Sequence, residues 1–300
     1  MSIEVEPLTL RQLGKDIRKE RLEKDGDASI GICGGEGVGK SDVQCQLGLA
    51  IDPKHFDVEQ NIVYSPSHEM VREKIMNVLP PLSAFGIDEA ITVAYKRLFQ
   101  AKSQIFMNVA YTQCRDHNIA SLFCMPDFFD FDKYWRDHRL CLWIQLLDRG
   151  HGVIFSKDWN PFTTDKWNIK YNEKFIIDAV GRKKVHEIMI EERISMLLRS
   201  KNCIGWFTWD AMKTSEDEIL RNMWIRYKEL KDAAKNSMEY QNNIMGWERK
   251  YRDINLKAIK MLYEKTPDIT QAAIAKQLGV SIDFVNKALR ASQSRRVDKA

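Results

Sequence analysis

Eight consecutive positions near the start of the chain have the residue types that bind nucleotide phosphates. They are Gly34, Gly35, Glu36, Gly37, Val38, Gly39, Lys40 and Ser41. This is the pattern G-x-x-x-x-G-K-[ST], in which the glycines let successive backbone N–H groups converge on an anion. We expect Lys40 to contact the β- and γ-phosphates and the Ser41 hydroxyl to ligate Mg²⁺. Together with Asp42, these residues predict a site for a nucleoside triphosphate, with ATP and Mg²⁺ as cofactors.

A pair of acids, Asp88 and Glu89, follows the apolar run 82–87. An acid at the end of a strand can hold Mg²⁺ beside the phosphate-binding loop, and a following carboxylate can activate the attacking water as a general base. We therefore assign Asp88 to the metal and Glu89 to the base. The alternative is that the pair only caps a helix that begins near Ala90.

Arginines downstream of the two acids are candidates for a further catalytic role. We expect Arg115 and Arg136 to neutralise charge on the γ-phosphate of the nucleotide that is bound by a neighbouring subunit. With Lys40 and Glu89 they form the predicted catalytic set. The alternative for each arginine is an ordinary salt bridge on the protein surface.

The elements that must position these residues alternate along the chain. Apolar runs typical of strands span residues 28–33, 61–66, 84–87 and 119–124, and the segments between them have helical patterns. A charged amphipathic helix over residues 8–24 precedes the first strand. Strands that alternate with helices predict a parallel sheet with crossover helices, so the expected fold class is α/β.

The pattern changes beyond residue 140. Apolar runs at 140–147 and 152–156 flank a polar turn, which predicts a β-hairpin. The following segment is mostly helix-forming and rich in charge. We predict three parts: a nucleotide-binding ATPase domain over 1–172, a helical connector over 173–250, and a small all-α domain over 251–300.

The last of these parts has a helix-turn-helix pattern over residues 270–285. Ile274 and Leu278 are spaced to pack the first helix, and Gly279 is placed to make the turn. Lys287 and Arg290 would then lie on the exposed face of the second helix, where such a module meets a major groove.

Charge is concentrated in the same region. Residues 255–300 contain nine Lys and Arg residues against four Asp and Glu residues, a surplus larger than the net charge of +4 of the whole chain. A basic surplus on a helix-turn-helix module predicts duplex DNA as a partner. The alternative is a module that serves protein contacts.

Three segments together resemble a known group: the loop 34–41, the run 87–90 and the later run 122–134. They look like the RecA-like P-loop ATPases of viruses and mobile elements, which include HerA/FtsK-type DNA translocases, genome-packaging ATPases and zonular-occludens-toxin-like proteins. The resemblance covers roughly residues 28–140. It implies a RecA-like parallel sheet flanked by helices, and a homo-oligomer whose arginine is supplied in trans. Where the group often has Gln or Asn as a sensor, this sequence has Met125-Pro126-Asp127.

The composition is that of an ordinary globular protein, with 44% hydrophobic and 29% charged residues. No apolar stretch approaches the roughly 20 residues that a membrane helix needs. The six cysteines include no C-x-x-C pair, which indicates reduced and mostly buried thiols. We therefore expect a cytoplasmic protein without membrane association.

The combined prediction is an ATP-hydrolysing motor that translocates, packages or replicates the DNA of a mobile element. Because Glu89 supplies a base for water, hydrolysis is favoured over the phosphotransfer of a nucleotide kinase. An ATP-switched DNA-binding regulator or helicase loader has the same two modules and does no mechanical work. This alternative stays open.

Overall fold

The computed structural model describes most of the chain, with gaps between the described segments. The described residues are 6–64, 79–90, 117–160, 162–170, 188–236, 259, 270–278, 285 and 289. The chain divides into two compact units, Met1–Ala234 and Lys235–Ala300.

The first unit is built on a seven-stranded sheet. Its strands are β1 (Ala28–Cys33), β2 (Ile62–Val63), β3 (Ala84–Ile87), β4 (Ala120–Met125), β5 (Leu140–Asp148), β6 (His151–Ser156) and β7 (Cys203–Thr208). Their order across the sheet is β2-β3-β4-β1-β5-β6-β7, and the first five are parallel. The predicted α/β class and parallel sheet are confirmed.

The remaining two strands extend the sheet in antiparallel fashion. β5 and β6 form the predicted hairpin, in which Trp143 lies opposite Phe155. β7 pairs with β6 and completes that edge of the sheet. This strand lies inside the segment 173–250 that was predicted to be a helical connector, so that prediction is wrong here. The buried residues of β7 are Gly205 and Phe207, whereas the apolar Ile204 is exposed, so the alternation of burial is not matched by an alternation of apolar and polar residues in the sequence.

Two helices beside β1 cover one face of the sheet. The predicted N-terminal helix is α1 (Leu10–Glu20), whose first turn is capped by Thr9, and α2 (Lys40–Ile51) follows β1. The two pack closely, since a Cβ on Gly14 would lie 2.5 Å from the Ala50 Cβ. Alternate residues of β4 join different hydrophobic clusters, so both faces of the sheet are covered.

Two further helices follow in the sequence after the β5–β6 hairpin. α3 (Ile190–Leu198) precedes β7, and α4 (Glu218–Asn236) begins after it. The buried side of α4 contributes Tyr227 to a cluster with Cys45 of α2 and Ile62 of β2. The chain therefore returns to the first half of the sheet after β7, and α4 ends just past the boundary between the two units.

The second unit contains α5 (Gln271–Leu278), whose N-terminus is capped by the Thr270 hydroxyl. Ile274 on this helix is buried, as are Val285 and Leu289, which are both helical. Ile274 and Val285 are positions that the predicted pattern uses for packing, and the helix-turn-helix itself stays a prediction. Its turn and its exposed second-helix residues, including Lys287 and Arg290, lie outside the described residues.

Two of the compositional expectations can be compared with the structure. In the part of the chain that the structure describes, no helix is both long and apolar enough to cross a membrane. The five cysteines found there are free thiols, and four of them are buried. Cys114 lies outside the described residues.

Candidate functional site

The loop 34–41 leaves β1 at the carboxyl edge of the parallel strands. β1 lies beside β4 in the sheet. The connection that leaves β1 leads to β2 at one edge of the sheet, whereas the connection that leaves β4 leads to β5 on the other side of β1. Connections that leave neighbouring strands in opposite directions open a crevice, where open α/β sheets bind their ligands. The Gly34 N–H donates to the Pro126 carbonyl (3.2 Å), which ties the loop to the end of β4.

Two glycines give this loop its shape. Gly37 has φ 74° and Gly39 has φ 101°, a region of backbone conformation in which side chains are strained. A Cβ on Gly39 would also lie 3.2 Å from the Trp209 ring, whereas one on Gly37 would meet nothing within 4 Å. A side chain at position 39 is therefore disfavoured by the backbone conformation and would also press against Trp209.

The loop ends at the N-terminus of α2, which begins at Lys40. The N–H groups of a first helical turn have no partner within the helix, and Gly39 supplies no side-chain cap. The positive end of the helix dipole lies at the same point. These features make the start of α2 suitable for binding an anion.

The Lys40 ammonium curls back over the loop. Its Nζ donates to the Gly34 carbonyl (2.7 Å) and to the Gly35 carbonyl (2.6 Å). Neutral carbonyl acceptors can be exchanged for phosphate oxygens, which form stronger, charge-assisted hydrogen bonds with an ammonium. The structure thus places the predicted phosphate-binding cation at the mouth of the loop.

Ser41 and Asp88 come together at this edge, although 47 residues separate them in sequence. The Ser41 Oγ lies 3.5 Å from the Asp88 Oδ1. Asp88 directly follows β3, its backbone N–H donates to the Val63 carbonyl (3.0 Å), and the residue is 3% exposed. A hydroxyl and a carboxylate are oxygen donors of the kind that Mg²⁺ prefers, so the residues present fit this metal.

Glu89 has an unusual backbone conformation. Its φ of 56° lies in the left-handed region, where a residue with a side chain is strained. The conformation is held because the next residue, Ala90, donates its N–H to the Cys124 carbonyl of β4 (2.9 Å). The Glu89 side chain is 41% exposed, unlike that of Asp88. Strain of this kind is concentrated at functional positions in proteins.

The structure also brings to the site two residues that the sequence did not indicate. Tyr227 and Lys231 lie one turn apart on α4. The Tyr227 hydroxyl is 2.7 Å from the Ser41 Oγ and 2.8 Å from the Asp88 Oδ2. The Lys231 Nζ is 2.6 Å from the same Asp88 oxygen, 3.2 Å from the Tyr227 hydroxyl and 4.0 Å from the Glu89 Oε1. Both side chains therefore contact the predicted metal ligands directly.

The donor and acceptor groups available determine the direction of these hydrogen bonds. Tyr227 has a single hydroxyl proton and the Asp88 carboxylate can only accept, so Tyr227 donates to Asp88 and accepts from the Ser41 hydroxyl. Burial and the nearby Asp88 carboxylate raise the pKa of Tyr227 well above its ordinary value, which keeps the phenol protonated. Burial disfavours the charged form of Lys231, yet the Asp88 carboxylate prevails and raises the pKa of the ammonium.

Other predicted site residues have different surroundings. Asp42 is buried and accepts a hydrogen bond from the Met212 backbone N–H (3.2 Å). Burial raises the pKa of its carboxyl group, only partly offset by that hydrogen bond. Through this hydrogen bond, Asp42 on α2 attaches the chain segment that follows β7 to this helix. Glu36 is exposed at the tip of the loop, and the Val38 side chain lies beside Gly34.

Of the two predicted arginines, the structure describes Arg136, and its neighbours are different from those of the cluster. Arg136 lies in a short π-helix, Trp135–Arg139, that precedes β5, and its guanidinium is 5.7 Å from the Phe129 ring centroid. Its backbone carbonyl accepts from the Trp167 indole (3.0 Å). Arg115 lies outside the described residues. A role for either one at a neighbouring subunit stays a prediction.

Comparison with known proteins adds nothing to this geometry. No protein-family model matches the chain, and no curated protein matches it. Within the described residues, no cluster of three or more His, Cys, Asp or Glu side chains could hold a metal ion. A metal at Ser41 and Asp88 would therefore need further ligands, as Mg²⁺ does when nucleotide phosphates and water complete its shell.

Proposed function

We propose that this protein binds a Mg²⁺–nucleoside triphosphate at loop 34–41 and hydrolyses it. The observation that carries the proposal is the approach of the Ser41 hydroxyl to the Asp88 carboxylate, at 3.5 Å, beside the Lys40 ammonium. Local sequence cannot produce this convergence by itself, because the residues come from α2 and from the end of β3. The same three groups are those that the sequence motif requires for phosphates and metal.

Each residue has a distinct role in this proposal. Lys40 and the first N–H groups of α2 bind the phosphate oxygens, and the glycines allow the backbone to approach them. Ser41 and Asp88 hold Mg²⁺, directly or through water. When bound, the metal neutralises charge on the phosphates and orients them. The nucleotide is ATP in the proposal, because the resemblance to ATPases supplies that identity.

Glu89 is the proposed general base. Its side chain is more exposed than that of Asp88, and it belongs to the strained residue that follows the metal-binding acid. A carboxylate in this position can accept a proton from the attacking water, which favours hydrolysis over phosphotransfer to another substrate.

The sheet supports a RecA-like architecture as part of the proposal. β4 lies between β1, which carries the loop, and β3, which carries the acids, so the two motifs flank one strand at the same edge. Work on DNA, as in the translocases and packaging ATPases that the sequence resembles, is the finer proposal. A motor of this kind would act as a homo-oligomer.

DNA association is proposed for the second unit. Buried Ile274, Val285 and Leu289 on helical segments support a packed helical module, and the basic surplus of residues 255–300 supports a nucleic-acid partner. A regulator or helicase loader switched by ATP would use the same parts. DNA that raises ATP turnover and is translocated supports the motor, whereas turnover without translocation supports the switch.

Nucleotide binding is tested by calorimetric titration with a non-hydrolysable ATP analogue and Mg²⁺. Wild type and Lys54→Ala, which removes an exposed lysine just beyond α2, should bind alike. Lys40→Ala should lose most of the affinity, because the phosphates lose the cation at the mouth of the loop. Equal binding by Lys40→Ala and Lys54→Ala would remove the basis of the proposed function.

A further inference from the structure

α4 makes a set of contacts with the proposed metal ligands that the hydrolysis of ATP does not explain. The Lys231 Nζ lies 2.6 Å from the Asp88 Oδ2, and the Tyr227 hydroxyl engages both Ser41 and Asp88. Asp88 is nearly fully buried, so its negative charge needs a compensating positive group. Lys231 supplies it.

A metal ion on Asp88 and the Lys231 ammonium are alternatives at the same carboxylate. Both are cations drawn to the Asp88 oxygens, and two positive charges side by side in a partly buried position repel each other strongly. The Ser41 Oγ is likewise engaged by the Tyr227 hydroxyl at 2.7 Å. Mg²⁺ therefore has to displace contacts of α4 from both of its protein ligands.

Release of these contacts requires movement of α4 and not only of side chains. A phenol oxygen lies on the axis of its ring, so it cannot be withdrawn by a ring flip. Tyr227 is 1% exposed, and its ring is stacked on Trp224 (5.7 Å between centroids) and lies at a tilt of 53° against Tyr64 (5.4 Å). The Lys231 side chain is longer and 18% exposed, so it can swing away more easily. Clearing Tyr227 shifts the helix.

The rest of α4 is held by apolar packing and by ion pairs at the surface. Partly buried side chains of the helix pack against the cluster that contains Tyr227; these are Leu220, Met223, Trp224 and Leu230. Arg226 pairs with Glu59 (2.6 Å) through side chains that are about half exposed. Exposed ion pairs of this kind stabilise a structure only weakly. The contacts at Ser41 and Asp88 are polar contacts in a buried position, and they add to the apolar packing in specifying the seated position of this helix.

We propose that α4 is a gate on the metal site: Tyr227 and Lys231 hold Ser41 and Asp88 when the helix is seated, and Mg²⁺–nucleotide binding unseats it. The proposal rests on the proposed nucleotide site and adds its regulation. Because α4 extends to Asn236, it also forms the chain connection to the second unit, Lys235–Ala300. Any factor that stabilises the seated helix opposes metal binding, and any factor that displaces the helix favours it.

The first test measures the Mg²⁺ dependence of ADP binding by the full-length chain. Lys231→Met removes the competing charge and keeps most of the apolar stem, so the Mg²⁺ concentration for half-maximal ADP binding should fall about tenfold or more. Lys228→Met removes an equal charge from an exposed position on the same helix and should resemble wild type. Tyr227→Phe keeps the buried ring and should also lower the Mg²⁺ requirement.

The outcomes separate the gate from the nucleotide site. Equal Mg²⁺ dependence in wild type and Lys231→Met, with ADP bound by both, overturns the gate alone. Weaker Mg²⁺–ADP binding by Lys231→Met than by Lys228→Met also overturns it, because Lys231 would then be a nucleotide ligand. If neither the wild type nor any of the variants binds ADP, with or without Mg²⁺, both the proposed function and the proposed gate are wrong.

A second measurement needs no variant of α4. Hydrogen exchange of peptides covering Glu218–Asn236 is compared in wild type with ADP alone and with ADP plus Mg²⁺. The gate predicts faster exchange along α4 when Mg²⁺ is added, because the helix leaves its seat. Slower exchange on addition of Mg²⁺ would show that α4 closes over the nucleotide, which contradicts the gate.

Discussion

The Trp209 indole lies directly against Gly39, the last residue before α2. A Cβ on Gly39 would be 3.2 Å from the ring, and the φ of 101° already disfavours a side chain. Trp209 follows β7, and its backbone N–H donates to the carbonyl of Gly150 in the β5–β6 turn (3.3 Å). The antiparallel extension of the sheet thus supports the phosphate-binding loop from outside the motif.

The first prediction concerns this contact. Gly39→Ala should destabilise the fold by more than Gly37→Ala, because both suffer backbone strain of about 1–2 kcal/mol but only position 39 also meets Trp209. Gly39→Ala should also weaken nucleotide binding. Denaturant unfolding of the two variants measures the difference. Equal losses of stability would show that the Trp209 ring shifts to accept the added methyl group with no loss of folding free energy.

The second prediction separates the chemistry of Glu89 from its backbone. Glu89→Gln should retain Mg²⁺–ATP binding and lower turnover by roughly 10²- to 10⁴-fold, the range for loss of a positioned base. Glu89→Gly should be as inactive, yet gain up to about 1 kcal/mol of stability, since glycine relieves the strain at φ 56°. Steady-state phosphate release and denaturant unfolding measure the two effects. Full activity of Glu89→Gln would assign the base elsewhere.

The third prediction concerns the reactivity of the cysteines. Burial raises the pKa of the thiols of Cys33, Cys45, Cys124 and Cys141. The thiolate is the reactive form, and a raised pKa lowers its population at a given pH. At pH 8 a maleimide should label these four positions slowly in the native protein and rapidly in denaturant, as read by peptide mass spectrometry. Rapid native labelling at Cys33 would contradict the packing of β1.

The fourth prediction concerns DNA. In the full-length chain, replacing Lys287 and Arg290 by Ala should weaken duplex binding more than replacing Lys257 and Lys260, because only the first pair lies on the expected recognition helix. Binding should weaken steeply with added salt, since neutralised phosphates release counterions. Anisotropy titrations measure both effects. Equal effects of the two double substitutions would favour a protein-docking module.

The parts of the fold and site that the sequence predicted are those set by local pattern. The apolar run before Gly34 and the helix after Lys40 follow from short stretches of residues, and so does the hairpin of β5 and β6. The approach of Ser41 to Asp88 is not a local feature, but it could be predicted from the expected parallel sheet, because parallel strands end at one edge.

Tyr227 and Lys231 could not be predicted in the same way. Tyr227 lies 139 residues from Asp88, and its spacing of four from Lys231 is ordinary for any helix. A contact of this kind depends on how α4 packs back over α2 and β2, which local pattern does not specify. β7 was missed for a related reason, because an edge strand with an exposed Ile204 is stabilised by pairing with β6 and not by its own periodicity.

Mg²⁺-dependent ATP hydrolysis at loop 34–41 is tested by measuring phosphate release by the full-length chain. The rate per chain is measured at rising protein concentration, with and without duplex DNA, for wild type, Lys40→Ala and Lys54→Ala. We expect release that requires Mg²⁺, rises per chain as subunits assemble, persists in Lys54→Ala and is lost in Lys40→Ala. Release that continues in Lys40→Ala, or no release by wild type at any concentration with Mg²⁺ and DNA, would show that loop 34–41 is not a site of ATP hydrolysis.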